Sequence, residues 1–114
     1  MQQLEAAMFE RVIVFPLEDN QGHNLQKEID TICLELLEIV GGYSETRQRG
    51  QWRGNDQQVY TDWSARISTV VSEEQDILIG AKLSEWCARL RQRTLYTHSV
   101  TVEVRFIEPA KVVV

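Results

Sequence analysis

Along residues 8–15 apolar side chains occupy both phases of a two-residue alternation: Val12 and Val14 point one way, Arg11, Ile13 and Phe15 the other, and Pro16 ends the run. A strand flanked on both sides needs apolar residues at odd and even positions alike, so this pattern predicts a central strand. After the loop Glu18-Asp19-Asn20-Gln21-Gly22 the period changes. Leu25, Ile29, Ile32, Cys33, Leu36, Leu37 and Val40 recur three and four residues apart, which predicts an amphipathic helix capped by Asn24 and left through Gly41-Gly42 in a left-handed conformation. Residues 43–53 and 57–71 read as the arms of a hairpin about Gly54-Asn55-Asp56, the second arm bending near Asp62-Trp63-Ser64. Ser72-Glu73-Glu74-Gln75 is a capping box at the head of a second helix. Its stripe is Ile79, Leu83, Trp86, Cys87 and Leu90, with Arg89, Arg91 and Arg93 in the last turns. Residues 99–107 alternate again, Val100, Val102, Val104 and Phe106 inward, and predict an edge strand.

The order strand, helix, strand, strand, helix, strand, joined by right-handed crossovers, predicts an α+β fold. It is a ferredoxin-like βαββαβ sandwich whose four-stranded antiparallel sheet, in order 4-1-3-2, carries both helices on one face. One domain over residues 1–114 is expected, its core at about 8–108 with short tails. The 114 residues are 43% hydrophobic and 25% charged, enough apolar material for one core without disulfide or structural metal.

A formal net charge of −5 disfavours nucleic acid as a partner. The polar opening Met1-Gln2-Gln3-Leu4-Glu5 and the lack of any long apolar run predict a cytoplasmic protein with no membrane partner. Cys33 and Cys87 fall on helix stripes without ligand spacing, so they read as reduced core thiols. No metal and no cofactor is expected.

Chemistry is expected on the sheet face that the helices leave open. By the alternation assigned above, that face carries Arg11, Ile13 and Phe15, then Arg66, Ser68 and Val70, then Thr101, Glu103, Arg105 and Ile107. An apolar patch beside arginines calls for a cover: a second subunit, or the tails at residues 1–7 and 111–114 folded back. Arg11 and Arg105 are expected as cross-strand neighbours, balanced by Glu103 or Glu108 or else forming a fork for a small anion; Arg66, toward the opposite end of the sheet where His98 and Ser99 should also fall, is a second and weaker anion site. His98, beside Ser99 and near Tyr96, is the candidate general acid-base, whereas His23 reads as a solvated loop residue. No dinucleotide, phosphate-loop, zinc-hydrolase or serine-hydrolase motif is present.

Arg47-Gln48-Arg49-Gly50-Gln51-Trp52-Arg53 is a basic run with one aromatic, too sparse for stacking on single strands. Its Gly50-Gln51-Trp52-Arg53, with Ser99-Val100 opening the last strand, resembles a family of small uncharacterised bacterial ferredoxin-like domains marked by a G-Q-W-R turn. The resemblance spans about residues 9–104 and implies the fold, no known reaction, and a suspicion of function at Trp52 and Arg53. Tyr60, Asp62 and Trp63 read first as packing.

Two functions follow. The first is a non-enzymatic homodimer or higher homo-oligomer that binds a small anionic ligand or protein partner on the open face, through Arg11, Arg66 and Arg105 over Ile13 and Phe15. The alternative is a small cofactor-free enzyme, an isomerase or oxygenase of dimeric α+β barrel type, using His98 as acid-base.

Overall fold

The elements are β1 (Met8–Pro16), α1 (Gln26–Ile39), β2 (Ser44–Arg53), β3 (Val59–Ser72), α2 (Glu73–Arg89) and β4 (Tyr96–Val102), in a computed structural model that describes residues 7–111. All four strands form one antiparallel sheet in the order β2-β3-β1-β4, which is the expected 4-1-3-2 read from the opposite edge. β1 is central because both its faces are apolar. The core lies between the sheet and the two helices: Ile13 and Phe15 of β1 and Ala65, Ile67 and Val71 of β3 meet Ile29, Ile32 and Leu36 of α1 and Ile79 and Trp86 of α2. Each of the larger side chains contributes roughly 1.5–3 kcal/mol by leaving water. The expectation that the terminal tails cover the sheet falls mostly on residues outside those described.

The inward faces of β1 and β4 are the reverse of those expected. Ile13 and Phe15 are fully buried in the core, and Arg11 lies on the same side, where its Nε donates to Asp76 of α2 at 2.8 Å. Val12 and Val14 therefore face away from the helices. β4 turns Thr97, Ser99 and Thr101 toward the helix side, since these pair with Ile13, Arg11 and Phe9. The first two hydroxyls are placed by polar partners: Thr97 donates to the Val12 carbonyl at 2.7 Å and Ser99 to Asp76 at 3.1 Å. β4 also ends at Val102, the partner of Met8, so the alternation of residues 103–107 continues past any neighbouring strand.

Smaller differences have local causes. Leu25 is the N-cap of α1, yet Asn24 accepts the Gln26 N–H at 2.8 Å from one position earlier. The exit of α1 is an extended Val40, not a left-handed Gly41 or Gly42. Gly50-Gln51-Trp52-Arg53 lies within β2, and the turn follows it, closed by Gly54 N–H to Gln58 and by Gln57 at φ 66°.

Two polar joints set the ends of the fold. Ser72 accepts the Gln75 N–H at 3.2 Å while Gln75 Oε1 accepts the Ser72 N–H at 2.9 Å, and Gln75 Nε2 also donates to the Ile39 carbonyl at 3.1 Å. The box thus starts α2 and closes the end of α1. At the opposite end, Asp19 gathers the loop after β1: its Oδ1 accepts the N–H groups of Gln21 and His23, and its Oδ2 meets His23 Nδ1 at 2.9 Å and Arg91 Nη2 at 3.1 Å. Burial pushes this carboxyl up, but the hydrogen bonds from His23, Gln21 and Arg91 outweigh it and hold Asp19 well below the usual carboxylate range.

Loss of either half of the capping box should be measurable by denaturant melts. Ser72→Ala is expected to cost about 1 kcal/mol. Gln75→Ala should cost at least as much, because it also releases the Ile39 carbonyl.

Candidate functional site

Because the side chains of a strand alternate, the burial of Ile13 and Phe15 decides what the open face displays. Val12 and Val14 of β1 lie there, between Ser68 and Arg66 of β3 on one side and His98 and Tyr96 of β4 on the other. Gln48 of β2 stands opposite Ser64, one pair further along the same face of β3 than Arg66, whose own β2 partner is Thr46. Together Val12, Val14, Gln48, Arg66, Tyr96 and His98 line a shallow cavity of about 430 Å³. Its floor is apolar and its walls are polar, the usual make-up of a small-molecule site.

Arg66 is the cation of this cavity. Arg11, Arg89, Arg91 and Arg105 are ion-paired, and Arg47 and Arg53 hydrogen-bond to Gln26 and to the Gln57 carbonyl. Among the described residues Arg66 has no such partner, although it is half-buried. A guanidinium held partly out of water with its donors unused favours a planar anion.

His98 and Tyr96 make a polar wall. His98 Nδ1 and the Tyr96 hydroxyl are 3.0 Å apart, and the rings meet edge to face with centroids 5.5 Å apart. That contact orients the imidazole and leaves Nε2 without a partner among the described residues, within the cavity that Arg66 also lines.

The expected site is therefore divided. Arg66 and His98 come together, as expected, while Ser99 turns to the helix side. Arg11 does not join them: with Thr97 and Asp76 it forms a partly buried joint between β1, α2 and β4. Arg105 lies beyond β4, exposed, with both hydrogen bonds going to Glu103. Ile13 and Phe15 are core. Arg11 and Arg105 are not neighbours, since Arg11 stands opposite Ser99 and Thr69. Val12 and Val14 were missed because the alternation assigned them to the face of the helices, and Gln48 and Tyr96 because neither was given a face; the polar Thr97 and Ser99 in phase with Arg11 were the available signal. Among the described residues no cluster of three or more His, Cys, Asp or Glu side chains is placed to hold a metal ion.

Beyond Ser64, where β1 ends, β2 and β3 continue as a two-stranded ribbon. Trp52 stacks on Tyr60 with centroids 4.7 Å apart, and its indole N–H donates to Asp62 at 2.7 Å. Tyr60 donates to Asp56, a bond that raises the phenol and lowers the carboxyl. Trp52 and Trp63 are each more than half exposed. A ribbon with this much apolar surface outside any core is unusual in an isolated chain.

No family model and no curated protein matches the sequence. Solved structures do match. A phage SAM lyase in complex with S-methyl-5'-thioadenosine aligns over 95% of this chain and 98% of its own, with TM-score 0.59 and 19% identity. A Bacillus cereus protein related to NIF3 aligns over 91% of this chain but 28% of its own, with TM-score 0.63 and 8% identity. CutA from Synechococcus elongatus aligns over 86% and 79%, with TM-score 0.59 and 11% identity. At these identities the likeness is one of fold, and with the strand order it marks the chain as a small ferredoxin-like α+β domain.

Proposed function

We propose that the protein is a homo-oligomeric module that binds a small anionic ligand on the open face of its sheet, at the cavity of Arg66, Gln48, Tyr96 and His98. The observation that carries this reading is Arg66: half-buried, without a partner among the described residues, and set beside an apolar floor. The ligand's anionic group meets the guanidinium, and its body lies on Val14, with the fully buried Val12 behind it. This revises the binding set expected from sequence, with Arg66 kept and Arg11, Arg105, Ile13 and Phe15 given structural or peripheral roles. The phage SAM lyase, solved with a small molecule bound, is compatible with a ligand site on this fold and says nothing of which ligand.

The oligomer is supported by the same face. Val70, Tyr96 and Val100 are exposed there at 46%, 61% and 48%, and the Trp52–Tyr60 ribbon extends the sheet at the end away from Val70 and Val100. A second copy is the cover that such a surface favours. A cofactor-free enzyme is the second reading, favoured by His98 Nε2, which has no partner among the described residues, inside the anion cavity. It requires turnover of a small molecule, SAM being a first choice to assay, by the parent and not by His98→Gln.

Two measurements test the module. Phosphate, sulfate or a small carboxylate should raise the melting temperature of the parent more than that of Arg66→Met, which loses one charge-assisted contact worth roughly 1.5–3 kcal/mol. Arg11→Met should keep the anion-dependent rise. Equal rises in parent and Arg66→Met would remove the site. Light scattering at micromolar concentration should give a multiple of the 13.2 kDa chain mass, reduced in Val100→Glu. A monomeric parent would remove the oligomer.

A further inference from the structure

The Arg66 cavity has a neighbour that the function above does not use. β1 leaves the sheet at Pro16, opposite Ser64, while β3 reaches back to Val59. Where the central strand is missing, a slot of about 690 Å³ opens between the edge of β3, the loop after β1 and the segment before β4. Val14 and Tyr96 line both the slot and the Arg66 cavity, so the two form one groove. Ser64 and Arg66 are two residues apart on the open face of β3, roughly 7 Å, and Trp63, in phase with the buried Ala65 and Ile67, is reached round the bare edge of that strand.

The two ends differ in chemistry. At the slot end stand Trp63, 55% exposed, and Asn20, Ser64 and Thr94, whose side chains make no hydrogen bonds among the described residues. The edge of β3 adds backbone groups: Trp63 gives its carbonyl to Leu17 N–H at 3.1 Å, and Thr61, two residues away, faces the same side with no strand beyond it. Neutral donors and acceptors beside an exposed indole suit a planar heterocycle. Glu18, Asp19 and Asp62 also line the slot and repel an anion; Asp19 and Asp62 already accept from His23, Arg91 and Trp52, and Glu18 accepts hydroxyl hydrogen bonds. The positive charge lies at the other end, on Arg66.

We infer that the groove binds a nucleoside carrying an anionic tail, its base in the slot against Trp63, its sugar hydroxyls toward Glu18, and its tail on Arg66. This rests on the Arg66 reading and adds the ligand class to it. The volume of the slot is within the roughly 300–1,000 Å³ of small-molecule sites.

Calorimetry with three probes, adenosine 5′-monophosphate, adenosine and inorganic phosphate, tests it on the full chain. The nucleotide should bind at least tenfold tighter than phosphate. Trp63→Ala should weaken the nucleotide roughly tenfold and leave phosphate unchanged, whereas Arg66→Met should weaken both. Glu18→Gln, a surface change that spares the fold, should weaken nucleotide and adenosine alone. A nucleotide no tighter than phosphate, or indifferent to both Trp63→Ala and Glu18→Gln, would overturn the inference while leaving the anion site standing. Adenosine binding that depends on Trp63, with no phosphate binding, would retain the slot and overturn the tail on Arg66. No binding by any probe would overturn both readings.

Discussion

The ladder that joins β1 to both of its neighbours constrains everything else, because a one-residue change of phase would move every side chain of the central strand to the other face. That phase is held on the helix side by two kinds of contact. Ile13 and Phe15 fill the core, and Arg11 reaches Asp76 on α2, which Ser99 of β4 also engages. The Arg11–Asp76 pair is only 13% and 16% exposed, so breaking it would strand a carboxylate in a poorly hydrated place. Its worth lies in specificity as much as in energy: the pair and the hydroxyls of Thr97 and Ser99 tie β1, β4 and α2 into one register.

With that phase fixed, the open face takes its character from what remains. Val12 and Val14 become a floor, Arg66 its cation, and Tyr96 and His98 a wall. The same sheet geometry makes the slot, since β1 is shorter than β3 and stops at a proline. The Asp19 loop, fastened by His23 and Arg91, holds the far wall of the slot in place. Different arginines stand on the two sides: Arg11 secures the strand that carries the floor, and Arg66 faces the solvent side without a hydrogen-bond partner among the described residues.

The order of elements, the strand order and the capping box at Ser72 were legible because they rest on local signals: period, cap residues and turn residues. The pairing of Arg66 with His98 was legible from topology. The facing of β1 was not, since Val12 and Val14 are as apolar as Ile13 and Phe15 and alternation alone does not distinguish the two sides. In β4 the pattern misled for a physical reason. Its inward positions Thr97, Ser99 and Thr101 are polar, and the first two are satisfied by the Val12 carbonyl and by Asp76, partners that only the folded chain brings together. The alternation past Val102 is real in sequence but has no neighbouring strand to pair with. The slot left no local signal, because it is made by the absence of a strand.

The side to which β1 turns its residues can be measured directly by cysteine labelling. In folded Val14→Cys and Ile13→Cys variants, with the modified position located by peptide mass spectrometry, a maleimide should label Cys at position 14 readily and at position 13 only at the rate of global unfolding. Protection at 14 with ready labelling at 13 would contradict the account, returning Ile13, Phe15 and Arg11 to the open face and dissolving the Arg66 groove.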